Sequence, residues 1–144
     1  MTLKLTTAHR DEIRRHGEAT YPYECCGVLT GEVVGDGAKR VLQVVACNNA
    51  DSEKPQRWYE INPRDLVRIQ REAYERNQDI VGFYHSHPDA QPRWSSSDLA
   101  EAHWLGCSYV ITSVEKGKAA HTNSFELVGD ETAKRFEDEE ITVE

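Results

Sequence analysis

Apolar residues along the chain change their period several times, and each change marks an element. Leu3 and Leu5 alternate with polar neighbours, which predicts a short opening strand. Thr6 or Thr7 then caps a helix to about Thr20, with Asp11 and Glu12 in its first turns, and Tyr21-Pro22 ends it. The apolar run from Cys25 to Glu32 reads as a strand, Gly35-Asp36-Gly37 as a hairpin-like turn, and Val41 to Cys47 as the partner strand. Asn48 to Gln56 is polar, contains Pro55 and predicts an exposed loop, and the bulky run Arg57 to Ile61 predicts another strand. Asn62-Pro63 is a helix start, and Leu66, Ile69, Ala73 and Tyr74 keep helical spacing up to about Asn77.

Asp79 to His87 predicts a strand stopped by Pro88, followed by a loop from Asp89 to Trp94. Ser95-Ser96-Ser97-Asp98 opens a helix to about Leu105, which Gly106 ends. Ser108 to Val114 and His121 to Val128 predict two more strands. The tail from Asp130 to Glu144 is acidic and amphipathic and predicts a helix with a short final strand, Glu137 to Glu140 lying on its solvated face. Strands alternating irregularly with two long helices predict a mixed α/β domain.

Composition narrows the class. A chain of 144 residues fits a single domain, 1–144, large enough for a real core. Its net charge of −8 argues against nucleic acid as the main partner, because gripping phosphates needs a positive field. No stretch approaches the ~20 apolar residues of a membrane span. The start Met1 to Thr7 runs directly into His9, Arg10, Asp11 and Glu12 without an apolar segment, so the expected location is the cytoplasm. Cys25, Cys26, Cys47 and Cys107 form no C-x-x-C pair and are expected to be reduced thiols.

The stretch that carries chemistry is His85-Ser86-His87-Pro88 with Ser95-x-x-Asp98. Side chains at i and i+2 of a strand share a face, so His85 and His87 can address one centre. Asp98 arrives from the first turn of the following helix, and two imidazoles with a carboxylate suit a catalytic Zn²⁺. Such a site needs a base. Glu24, just before the strand that begins at Cys25, is the candidate, while a solvated glutamate at a loop-to-strand junction is the other reading. Ser95 can cap the helix as well as serve the site. Cys25 as a nucleophile and His103 as a ligand are poorly placed; Trp94 can flank a substrate channel or anchor packing, and Arg93 can meet a carboxylate or sit in solvent.

Glu24, Cys26-Gly27, Leu29 and Gly31 fit an E-x-C-G-x-L-x-G segment, and His85 to Asp98 fits H-[ST]-H-P-x₆-S-x₂-D. In these residues, and over most of the chain, the sequence resembles the JAMM, or MPN-plus, metalloprotease family. The resemblance implies the MPN, cytidine-deaminase-like, fold: a curved mixed β-sheet flanked by helices. It implies a single zinc ion on His85, His87 and Asp98, Glu24 as general base and then acid, and Ser95 steadying the oxyanion. It also implies hydrolysis after the C-terminal Gly-Gly of a ubiquitin-like protein.

The loops Asn48 to Gln56 and Glu115 to Ala120 are too short for the insertions that read ubiquitin chains. The chain is therefore most similar to compact prokaryotic peptidases acting on sulfur carriers, for example in releasing cysteine. Two alternatives remain at this stage: an isopeptidase that removes ubiquitin-like modifiers from lysines, and a non-catalytic MPN interaction module. A homodimer is also open.

Overall fold

The computed structural model describes residues 2–51 and 53–144; Met1 and Ser52, the latter inside the expected loop Asn48 to Gln56, lie outside them. The elements run β1 (Thr2–Leu5), α1 (Thr7–Thr20), β2 (Cys26–Val34), β3 (Ala38–Cys47), α2 (Pro63–Glu75), β4 (Asp79–Pro88), α3 (Ser96–Glu101), β5 (Ser108–Glu115), β6 (Lys118–Val128) and β7 (Arg135–Val143). Local chemistry sets the helix starts. Thr6 accepts from the N–H of His9, and the His9 ring accepts from the N–H of Thr6, a reciprocal cap. Asn62 accepts from the N–H of Arg64, and Pro63 fills the first helical position.

The mixed α/β class holds, but the sheet closes on itself. Its seven strands form a closed barrel in the order β1-β3-β2-β4-β5-β6-β7, with β7 returning to β1, where a curved sheet was expected. The β4–β5, β1–β3 and β1–β7 pairs are parallel and the others antiparallel. Two cores flank the sheet. Ile13 of α1 packs with Leu3, Leu5, Leu29, Val81, Tyr84 and Val110. Ile69 of α2 packs with Val28, Ile80, Phe83, Tyr109 and Leu127. β4 contributes to both and is buried along nearly its whole length, which explains its continuous apolar run.

Three expectations fail. The tail is a strand, because the run Ile141-Thr142-Val143 pairs with β1 while 135–139 pairs with β6. Within it Glu139 is buried rather than solvated: its carboxylate accepts from Ser108 and Ser124 and lies 3.1 Å from Lys39 Nζ. Arg57 to Ile61 forms no strand. The Asn49 side chain holds it instead, donating to the Trp58 carbonyl and accepting from the N–H of Glu60. The helix after Ser95 stops at Glu101, where Ala102 turns extended and Trp104 docks edge-on against Phe83 at 5.3 Å. No helix among the described residues is long and apolar enough to cross a membrane.

Candidate metal centre

The register of β2 against β4 assembles the site. Cys26 lies opposite His85 and Gly27 opposite Tyr84. Gly27 has no room for a side chain, since a Cβ there would stand 2.1 Å from the Tyr84 ring. That ring is fully buried and its hydroxyl lies 2.7 Å from His16 Nδ1. One step further out, Ser86 Oγ accepts from the N–H of Cys25 at 2.8 Å, and the N–H of Ser86 donates to the Cys25 carbonyl. The segment carrying Glu24 is thereby fastened to β4 between the two histidines.

Asp98 comes from α3, whose start is fixed by a second reciprocal cap. Ser95 Oγ accepts from the N–H of Asp98 at 3.1 Å, and Asp98 Oδ2 accepts from the N–H of Ser95 at 2.9 Å. Ser95 thus fulfils its capping role, and its hydroxyl lies 2.9 Å from that of Ser97.

His85 Nε2 and His87 Nε2 are 3.1 Å apart, and they lie 3.3 and 3.2 Å from Asp98 Oδ1 and Oδ2. His87 Nδ1 donates to the Gln91 carbonyl at 2.8 Å, which leaves Nε2 as a bare lone pair aimed inward. Electron-rich atoms this close repel one another unless a cation lies among them. Ligands on a tetrahedral zinc with bonds of ~2.0–2.1 Å stand about 3.3 Å apart, so both donor chemistry and spacing fit that ion. Among the described residues no other group of His, Cys, Asp or Glu converges in this way.

Burial would raise the Asp98 carboxyl, but with no cation among the ligands the imidazoles of His85 and His87 carry protons on Nε2, and their hydrogen bonds outweigh burial and hold the group well below the usual carboxylate range. His85 is the reverse case: burial lowers it despite its bond to Asp98. His87 is raised on balance, its burial being outweighed by Asp98 and by the Gln91 carbonyl.

Glu24 is 5% exposed and is no surface glutamate. Its Oε1 has no hydrogen-bond partner among the described residues, while its backbone is pinned to the Pro55 carbonyl and the Asn49 side chain. Burial pushes its carboxyl up to about 8; the His87 charge opposes this, and those of Asp98 and Asp51 add to it. Glu24, His87 and Ser95 line one open cavity of about 640 Å³, with Trp58, Trp94, Lys54, Arg57 and Arg93 on its walls.

Comparison with known proteins places this geometry in a lineage. A family model described as prokaryotic homologues of the JAB domain matches residues 6–128. The chain belongs to that family. It is 35% identical to a desampylase of Haloferax volcanii over 90% of each chain. It is 25% identical to a CysO-cysteine peptidase of Mycobacterium tuberculosis over 78% of this chain and 74% of that one. The solution structure of a protein from Salinibacter ruber, 39% identical, superposes with a TM-score of 0.72 over 96% of this chain and 91% of the other.

Several residues of this JAB-family chain were not singled out by their types. Tyr59 stacks on the His85 ring, with centroids 4.4 Å apart and planes 21° from parallel, and so fixes the plane of that imidazole. Its only trace in the sequence is the bulky run Arg57 to Ile61. Ser86 is the fastener described above. Trp94 lines the cavity and packs on Phe136 at 5.5 Å. All four cysteines are buried free thiols, and burial raises Cys25 and Cys47 to about 11, which suits inert packing groups. His103 is exposed and outside the cluster.

Proposed function

We propose that this JAB-family protein is a zinc-dependent peptidase that cleaves after the C-terminal Gly-Gly of a ubiquitin-like or sulfur-carrier protein, releasing a residue such as cysteine. The observation that carries the reading is the meeting of a buried carboxyl, Glu24, whose Oε1 has no partner among the described residues, with His87 and Ser95 on one cavity, beside a cluster whose donor set suits zinc. The relatives named desampylase and CysO-cysteine peptidase support the substrate class.

His85, His87 and Asp98 would hold the ion. Bound zinc supplies Lewis acidity, polarising a carbonyl and acidifying water. Glu24 takes a proton from the attacking water and returns it to the leaving amine nitrogen. Its dry setting keeps its proton affinity high enough for the first transfer. Ser95 Oγ accepts from the N–H of Asp98 and lies 2.9 Å from the Ser97 hydroxyl; with Ser97 as the donor of that pair, the Ser95 O–H donates to the carbonyl oxygen as charge develops there. Tyr59 and the Gln91 carbonyl keep the imidazoles from turning.

The test is to incubate zinc-loaded protein with a panel of ubiquitin-like carriers bearing one residue beyond Gly-Gly and to follow intact mass. Loss of that residue is expected. A folded, zinc-loaded protein that cleaves none of them overturns the proposal. Lysine-linked adducts run in parallel separate this reading from the isopeptidase one, which uses the same residues. A protein purified gently yet lacking near-stoichiometric zinc would point to the interaction module instead.

A further inference from the structure

The chain carries a net charge of −8, yet the walls of its cavity carry the opposite sign. Lys54, Arg57 and Arg93 line it, and Glu24 is the one acidic residue among the lining side chains. Among the described residues none of the three cationic heads has an ion-pair or hydrogen-bond partner. Two of the nearby carboxylates are already engaged, and Glu53, which shares an adjacent pocket with Lys54 and Arg57, pairs with neither of them. Asp51 accepts from the N–H groups of Glu53 and Lys54, and Asp89 accepts from the Tyr21 hydroxyl and the N–H of Lys116.

The loop bearing Arg93 is anchored as well. The N–H of Asp89 donates to the Val114 carbonyl at 2.7 Å, and Asn123 donates to the Pro92 carbonyl at 3.1 Å. Arg93 and Trp94 are therefore presented from a braced segment, facing a cavity that already contains His87 and Ser95.

We infer that Arg57 and Arg93, assisted by Lys54, bind the free α-carboxylate of the residue that departs from the substrate. This rests on the peptidase reading above and specifies which of its substrates fit. Guanidinium groups pair with carboxylates through two parallel hydrogen bonds, so Arg is the residue suited to the task. A cationic wall on the same cavity as Glu24 and Ser95 can meet a group that lies close to the scissile bond. A one-residue leaving group always supplies a carboxylate there, two bonds from the scissile nitrogen. A lysine side chain attached through its amine supplies none at that reach. The pairing therefore selects linear, C-terminal extensions over lysine-linked conjugates.

Trp58 and Trp94 stand on the same walls, so tryptophan fluorescence reports occupancy without turnover. Zinc-loaded Glu24→Gln protein is titrated with hexapeptides ending in Gly-Gly-Ala, as the free acid and as the C-terminal amide. The acid is expected to bind about tenfold tighter or better, as a charge-assisted pair implies. Arg57→Gln and Arg93→Gln, made singly and together in that background, are expected to bring the ratio toward one while leaving amide affinity unchanged. Equal binding of acid and amide, or a ratio that survives the double substitution, overturns the inference. If equal binding accompanies cleavage of linear adducts by the wild type, the peptidase reading stands and only the carboxylate site falls. If neither peptide binds and no adduct is cleaved, both fall.

Discussion

A buried carboxyl with an oxygen that meets no hydrogen-bond donor is costly to ionise, and Glu24, whose Oε1 has no partner among the described residues, is held in that state. In the metal-free protein its folded value of about 8 exceeds the ordinary 4.5. The unfolded chain releases this proton first, so the contribution to stability is complete below 4.5 and is lost as pH rises toward 8, by at most ~1.4 kcal/mol per unit. Between pH 5 and pH 8 the melting temperature of metal-stripped wild type should change less favourably than that of Glu24→Gln, in which this slope is absent while the opposing ones of His16 and His85 remain. Zinc reloading should also flatten the Glu24 slope, because a nearby dication favours the carboxylate. Turnover divides the residues differently. Glu24→Gln is expected to keep near-stoichiometric zinc by mass spectrometry and lose at least ~10²-fold in rate, whereas His87→Ala loses both. Near-normal turnover by Glu24→Gln would place the base elsewhere.

At the level of elements, two short contacts position the chemistry. Gly27→Ala drives a Cβ into the Tyr84 ring beside the Cys26–His85 pair, so it should lower both melting temperature and zinc content. Gly35→Ala, with open space around it, should change neither. Ser95 has a capping function and a proposed chemical one, and substitution separates them. Ser95→Ala should cost ~1 kcal/mol in a melt. Ser95→Gly, a nearly equivalent cap, should retain stability and still lose turnover. These starts were legible in the sequence because Thr6, Asn62-Pro63 and Ser95 act on their own neighbours. The three metal-directed side chains were legible through their spacing, and Glu24 through the resemblance to the JAMM family alone, since nothing local forces it toward His85. What escaped depends on distant partners. The acidic tail becomes a strand because β1 and β6 flank it, and Glu139 is buried because Lys39, Ser108 and Ser124 meet it there. Tyr59 belongs to the site only because Asn49 folds its segment over His85.

For the molecule as a whole, ring closure has a cost that falls unevenly. The pairing of Thr2–Leu5 with Glu140–Val143 joins residues from opposite ends of the sequence, and it is the contact with the largest loop-closure entropy. Around the ring, β4 stands with three strands on either side, diametrically opposite this seam. Partial openings that begin at the seam can therefore proceed without passing through the histidine-bearing strand. Native-state hydrogen exchange should reveal two tiers, with amides of Leu3–Leu5 and Ile141–Val143 exchanging through a smaller opening than those of Val81–Ser86. Uniform protection across both sets would show instead that the barrel opens only as a unit. In the two-tier case the barrel breathes at one side while the strand that anchors the histidines stays protected at the other.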